Sequence, residues 1–264
     1  METAMGRAEV NGTRLRYALS GSGEPLVFIH GFTLDLRMWD AQMEAFTRNY
    51  QVLRYDVRGF GESAPPTEEG HSHTDDLKAL LDLLGIESAH IVGLSMGGQI
   101  AVDFVLDYPD AVRSLTLVDA GLGGYRWSQE FASMFGELER LARESGIEAR
   151  MKYWLGCRLF APSMEQPDVA QQLREMVTNC PTWHLHKSAR RREVPAIERL
   201  GDIAKPVLII VGELDMQDFH AIAAKLRQEI PGARRVVLPG VGHMSNMEDP
   251  AAFNQVVMDF LAGL

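Results

Sequence analysis

Residues 90–108 read HIVGLSMGGQIAVDFVLDY. A short apolar run at 90–92 enters Gly93-Leu94-Ser95-Met96-Gly97, and a helical pattern over 97–108 follows until Pro109. A G-x-S-x-G sequence between a strand and a helix puts its serine on a sharp turn at the strand's end. Gly93 and Gly97 keep Cβ atoms out of that crowded turn, and Gly98 lets the helix pack close. The first N–H groups of the helix then favour negative charge developing beside the serine. The bland reading is a glycine-rich turn holding a passive serine. The strand before it and the helix after it instead make Ser95 the candidate nucleophile.

Outward from this turn, apolar runs alternate with helical patterns. Asn11-Gly12 reads as a hairpin turn, since both residues tolerate positive φ. Residues 26–29, 52–55, 90–92, 112–118, 206–211 and 235–238 read as strands. Helical patterns cover 73–84, 97–108, 219–229 and 250–261, and Gly85 sits where a helix-ending glycine belongs. Such alternation predicts βαβ crossovers, and so an α/β fold with a mainly parallel sheet and helices on both faces. Residues 122–199 break the rhythm. They hold helical stretches at 129–144, 148–159 and 169–178, interrupted by Pro162, Pro167, Pro181 and Pro195. This predicts a core of residues 1–121 and 200–264 with a helical insertion at 122–199. An insertion at the carboxyl ends of the strands covers the ligand crevice of an open α/β sheet.

The remaining candidates lie just past strand ends. Phe28-Ile29-His30-Gly31-Phe32 places a turn after an early strand, where Phe32 can offer one N–H to an oxyanion and Met96 a second. His30 reads as a loop brace. The strand at 206–211 runs into Gly212-Glu213-Leu214-Asp215, and that at 235–238 runs into Gly240-Val241-Gly242-His243. A serine hydroxyl is a poor nucleophile until a neighbouring base takes its proton. His243 is the candidate base and Asp215 the acid that fixes its tautomer. Asp119, Asp218 and Glu213 are rivals for the acid. A surface histidine is the plain alternative for His243. His71, His73, His184 and His186 carry no comparable context, and no H-E-x-x-H or Cys/His ligand spacing points to zinc.

Composition narrows the partners. The net charge of -10 argues against a general nucleic-acid binder, which needs basic residues to displace counterions from phosphate. Hydrophobic residues make up 46% of 264 positions, enough for a sizeable core. Cys157 and Cys180 read as buried, idle thiols. METAMGRAEVNG lacks the apolar centre of a signal peptide, and no apolar run reaches the roughly 20 residues of a membrane helix. A cytoplasmic protein without membrane or nucleic-acid partners is expected, and a homo-oligomer stays open.

Taken together, VFIHGF (27–32), DVRGFGES (56–63), GLSMGG (93–98), GELD (212–215) and GHMSNME (242–248) resemble α/β-hydrolase-fold serine hydrolases over nearly the whole chain. GLSMGG and GHMSNME look closest to the small carboxylesterase and 3-oxoadipate enol-lactonase-like branch. The resemblance implies a cofactor-free serine esterase or lactonase, with Asp56 and Arg58 structural. Met216-Gln217 follows Asp215 where relatives often place proline. Met244 stands where carbon–carbon bond hydrolases often carry tryptophan, which counts against that branch. Haloalkane dehalogenases carry aspartate in place of Ser95. In the insertion, Trp127, Trp154 and Trp183 are candidate substrate contacts, though most aromatics there are expected to be packing. The run 188–192, Ser-Ala-Arg-Arg-Arg, reads as a solvated cationic end or as an anchor for an acidic substrate. A ligand receptor with little turnover and a cofactor-free perhydrolase are the alternatives to the esterase.

Overall fold

Asn11 and Gly12 take φ of 45° and 68° and join β1 (Thr3–Val10) to β2 (Thr13–Ser20) as an antiparallel hairpin. The computed structural model describes residues 3–66, 70–178, 180, 189–190 and 192–264. β2 pairs antiparallel with β4 (Tyr50–Tyr55), and every later pairing is parallel. The remaining strands are β3 (Glu24–Ile29), β5 (Ala89–Leu94), β6 (Val112–Val118), β7 (Val207–Gly212) and β8 (Arg234–Leu238). The sheet has eight strands in the order β1-β2-β4-β3-β5-β6-β7-β8. The direction of progression reverses around β3, so the loops after β3 and β5 open into a crevice at the strands' carboxyl ends.

Every residue of β5 and β7 is buried. Successive side chains of a strand point to opposite faces, so both faces of the sheet are covered. α2 (His73–Leu83) packs with α3 (Met96–Asp107), which lies on β5 and β6. α1 (Asp40–Phe46) packs with the late helix Pro250–Ala262, and the helix Gln217–Glu229 lies on β7. Gly85 takes φ 68° just after α2, as its position predicts. The short helix at Leu36–Trp39 and α1 were not foreseen, because their few buried residues repeat over too short a span to show a period.

Between β6 and β7 the described chain forms α4 (Gln129–Glu144), α5 (Gly146–Leu155), α6 (Ala161–Met164) and α7 (Pro167–Thr178). The single helix expected over 148–159 is split. α5 ends at Leu155, Gly156 caps it, and a 3-10 turn spans Arg158–Phe160. α4 buries Phe131, Met134 and Leu138, and α7 buries Val169, Leu173 and Met176, so each turns one apolar stripe inward. The helices that follow β7 are α8 (Gln217–Glu229), α9 (Ser245–Glu248) and α10 (Pro250–Ala262). Among the described residues no helix is long and apolar enough to cross a membrane. Cys157 and Cys180 are buried thiols outside any disulfide.

Candidate active site

Ser95 sits at φ 54° and ψ -112°, a backbone region that costs a non-glycine residue about 1–3 kcal/mol. The surroundings hold it there. Its N–H donates to Val118 O at 2.9 Å, and its carbonyl accepts from Gln99 N–H at 3.0 Å and Gly121 N–H at 2.9 Å. The glycines are obligatory for a measurable reason. A Cβ on Gly93 would lie 2.2 Å from Gly97 O, and one on Gly97 2.2 Å from Ile29 O.

His243 follows β8 in a loop and is fully buried. Its Nδ1 lies 2.8 Å from Asp215 Oδ2, and its ring packs on Phe219 with centroids 4.2 Å apart. Its Nε2 is buried with no hydrogen-bond partner, so among the described residues no hydrogen bond joins it to the Ser95 hydroxyl. Such bonds are commonly long in ligand-free sites and tighten on substrate binding. Burial pushes the imidazole down to about 4, against the Asp119 and Glu248 charges. A neutral ring is the state a base needs.

Two of the acid candidates crowd this imidazole. Oxygen atoms of Asp119 and Asp215 and a ring nitrogen of His243 all lie within 4.8 Å of one another. Asp215 also accepts Met216 N–H at 2.7 Å. Asp119, at φ 43°, accepts Gly212 N–H and the Ser245 hydroxyl, each at 2.7 Å. Burial raises Asp119 well above the carboxylate range, and the Asp215 charge adds to that. Burial raises Asp215 as well, opposed by the Met216 N–H and by Asp119. Two carboxyls this close do not both ionise. Burial weighs against charge on either carboxyl, and of the two Asp215 carries the bond to Nδ1. The donors already bonded to these oxygens make the trio a poor metal-ligand set.

The other two rivals are committed elsewhere. Asp218 accepts Ser128 N–H at 2.9 Å and the Ser128 hydroxyl at 2.6 Å, tying α8 to the start of α4. Glu213 is exposed and accepts Gly240 N–H at 2.8 Å. His30 braces its loop as the sequence suggests. Its Nδ1 lies 2.8 Å from Gly31 O, and its Nε2 accepts Val57 N–H at 2.9 Å.

Phe32 and Met96 border the same cavity as Ser95, a space of about 340 Å³. Trp127, Phe131 and Phe135 come to it from the insertion, and Phe219 from α8. Trp127 stacks on Phe131 at 3.9 Å and 14°. Trp154 is not on this wall. It is buried behind Phe32 with ring centroids 5.9 Å apart, and its Nε1–H donates to Thr33 Oγ1 at 2.8 Å. Trp183 lies outside the described residues, as do Ser188 and Arg191 of the basic run. Arg192 pairs with Asp107 of α3 at 2.5 Å, and Arg190 stands 3.7 Å from Asp75 of α2.

Glu248 escaped the sequence reading. Buried, it accepts Gly242 N–H and the Ser163 hydroxyl, each at 2.5 Å, and Met244 N–H at 3.3 Å. It therefore holds the imidazole loop from both sides of His243 and links it to α6. Its place in GHMSNME was visible, but nothing in one sequence distinguishes a buried brace from a surface acid. Phe219 likewise marks only the start of a helical pattern in the sequence.

The strand order, the serine turn and the loops that converge on it are those of one class. Residues 24–250 match the alpha/beta hydrolase fold family, and the chain belongs to it. The 2-hydroxy-6-oxononadienedioate/2-hydroxy-6-oxononatrienedioate hydrolase of Paraburkholderia phymatum is 33% identical, with 95% of this chain and 92% of the relative covered. The solved enol-lactonase from Burkholderia xenovorans LB400 superposes with a TM-score of 0.85 at 29% identity, covering 97% of this chain and all of that one. A thermophilic esterase from Thermogutta terrifontis superposes with a TM-score of 0.84 at 26% identity, covering 98% of each chain. Esterase and enol-lactonase neighbours agree with the resemblance read from GLSMGG and GHMSNME. The dienedioate hydrolase is a relative of another kind, so membership of the family does not by itself choose among these activities.

Proposed function

We propose that this protein hydrolyses small carboxylic esters or lactones through an acyl-enzyme. Ser95 is the nucleophile, His243 the base and Asp215 the acid that orients the base. The observation that carries this reading is the buried His243–Asp215 hydrogen bond of 2.8 Å, whose imidazole packs on Phe219, a residue that lines one cavity together with a strained Ser95. Ser95 Oγ attacks the ester carbonyl and gives its proton to His243 Nε2. The resulting oxyanion takes the N–H groups of Phe32 and Met96. Collapse breaks the C–O bond, and the imidazolium returns the proton to the departing alcohol. A water deprotonated by His243 then releases the acid and restores the serine. Residues 122–199 act as a cap that supplies the apolar wall, on a core of 1–121 and 200–264. The chemistry calls for no cofactor, and the partner is a small molecule.

Ser95→Ala tests this. With a p-nitrophenyl ester series, wild-type protein should give a burst of p-nitrophenol, and the variant should lose about 10⁴-fold or more in kcat. Unchanged turnover in the variant sinks the mechanism. Wild-type protein inert on every acyl chain favours a ligand receptor, and acyl transfer to peroxide faster than to water favours a perhydrolase. The dienedioate hydrolase among the relatives supports a second reading, hydrolysis of a dienedioate. Turnover of a dienedioate with no turnover of esters would select it.

A further inference from the structure

The cavity beside Ser95 has a consistent chemistry. Phe32, Trp127, Phe131, Phe135 and Phe219 line it with aromatic rings. Gln99 brings a neutral amide. Among the described residues, its lining contains no Lys, Arg, His, Asp or Glu. Three cations of the insertion face acids: Arg158 faces Glu130 at 3.4 Å, Arg190 faces Asp75, and Arg192 faces Asp107. A carboxylate entering such a cavity would give up water and gain no charged partner from these lining residues, which is costly. A flat ring would instead find offset and edge-on partners.

Resting on the ester-hydrolase reading above, we infer that this cavity selects an uncharged carboxylic ester carrying an aryl group in its acyl part and rejects esters and lactones that bear a carboxylate. Such selection would set this chain apart from a dienedioate hydrolase, whose named substrate carries two acid groups. Gln99 is the side chain placed to meet a neutral polar substituent such as an ether or amide. It cannot neutralise an anion.

A charge-matched series tests the selection. The wild-type protein is given p-nitrophenyl acetate, p-nitrophenyl phenylacetate, methyl p-nitrophenyl glutarate and p-nitrophenyl hydrogen glutarate. The neutral glutarate should exceed its anionic partner by about 100-fold in kcat/KM, and phenylacetate should exceed acetate by about tenfold. In parallel, the Ser95→Ala protein is titrated with methyl phenylacetate and with monomethyl glutarate by calorimetry. Preference for the neutral ligand is expected there too. If wild-type protein turns over no ester while Ser95→Ala still prefers methyl phenylacetate, the hydrolase reading fails and the cavity's selection stands. If the anion binds as well or reacts as fast, the selection is overturned. A second variant guards the result. Ala132 is exposed on α4 and borders the cavity, so Ala132→Arg adds a cation without filling the core. It should narrow the neutral-over-anion ratio about tenfold, and an unaltered ratio counts against selection at this cavity.

Discussion

Asp119 and Asp215 face one imidazole, and their different bonds give them different duties. Asp215 holds Nδ1, whereas Asp119 spends its oxygens on Gly212 and Ser245, and burial raises it well above the carboxylate range. Asp215→Asn should therefore cost on the order of 10⁴ in kcat, because the amide favours the wrong tautomer of His243. Asp119→Asn keeps the shape of a group that is not bonded to Nδ1, and kcat/KM should stay within about tenfold. Steady-state kinetics on both variants decides between them, and the reverse ranking would assign the orienting acid to Asp119. The pH profile is a second test. Burial disfavours the imidazolium, so more acid than usual is needed to protonate His243. The acid limb of kcat/KM should fall below pH 6, toward 4, and a limb near 7 would contradict a buried neutral base. Of this cluster the sequence showed Asp215, His243 and the rivals by their places after strand ends. It could not show which rival comes near, because that depends on where the loops after β6 and β7 converge.

At the scale of elements, the strands were legible and the short helices were not. A buried parallel strand is a continuous apolar run, and Val207–Gly212 announces itself in that way. α6 and α9 are four residues each, less than the span over which a helical period can be read. Tertiary contacts hold them instead: the Ser163 hydroxyl for α6, and the Asn246 amide donating to Met38 O at 2.9 Å for α9. Asp218 looked like a candidate acid because it lies three residues past Asp215, yet its carboxylate caps nothing on its own helix and anchors Ser128. Asp218→Ala strips two hydrogen bonds from the entry to α4. It should destabilise the fold by about 1–3 kcal/mol, read as a lowered urea midpoint, with kcat changed less than in Asp215→Asn.

Across the whole molecule, Glu248 connects the insertion to the base. One oxygen accepts from Gly242 and the other from Ser163 and Met244, so each needs an acceptor. Glu248→Gln sets an NH₂ group against one of those donors. The buried mismatch should lower stability by about 1–3 kcal/mol and reduce kcat by loosening the His243 loop, measured by thermal unfolding and single-turnover kinetics. Full stability with full activity would show that this bridge carries neither role. A different consequence follows from the way Ser95 is tied into the sheet. Its amide is bonded to Val118, and its carbonyl holds the amides of Gln99 and Gly121. Those partners lie on β6, on α3 and in the loop after β6, so the turn cannot open alone. In deuterated water the Ser95 amide should rank among the slowest in the chain to exchange, releasing its proton only when the molecule unfolds globally.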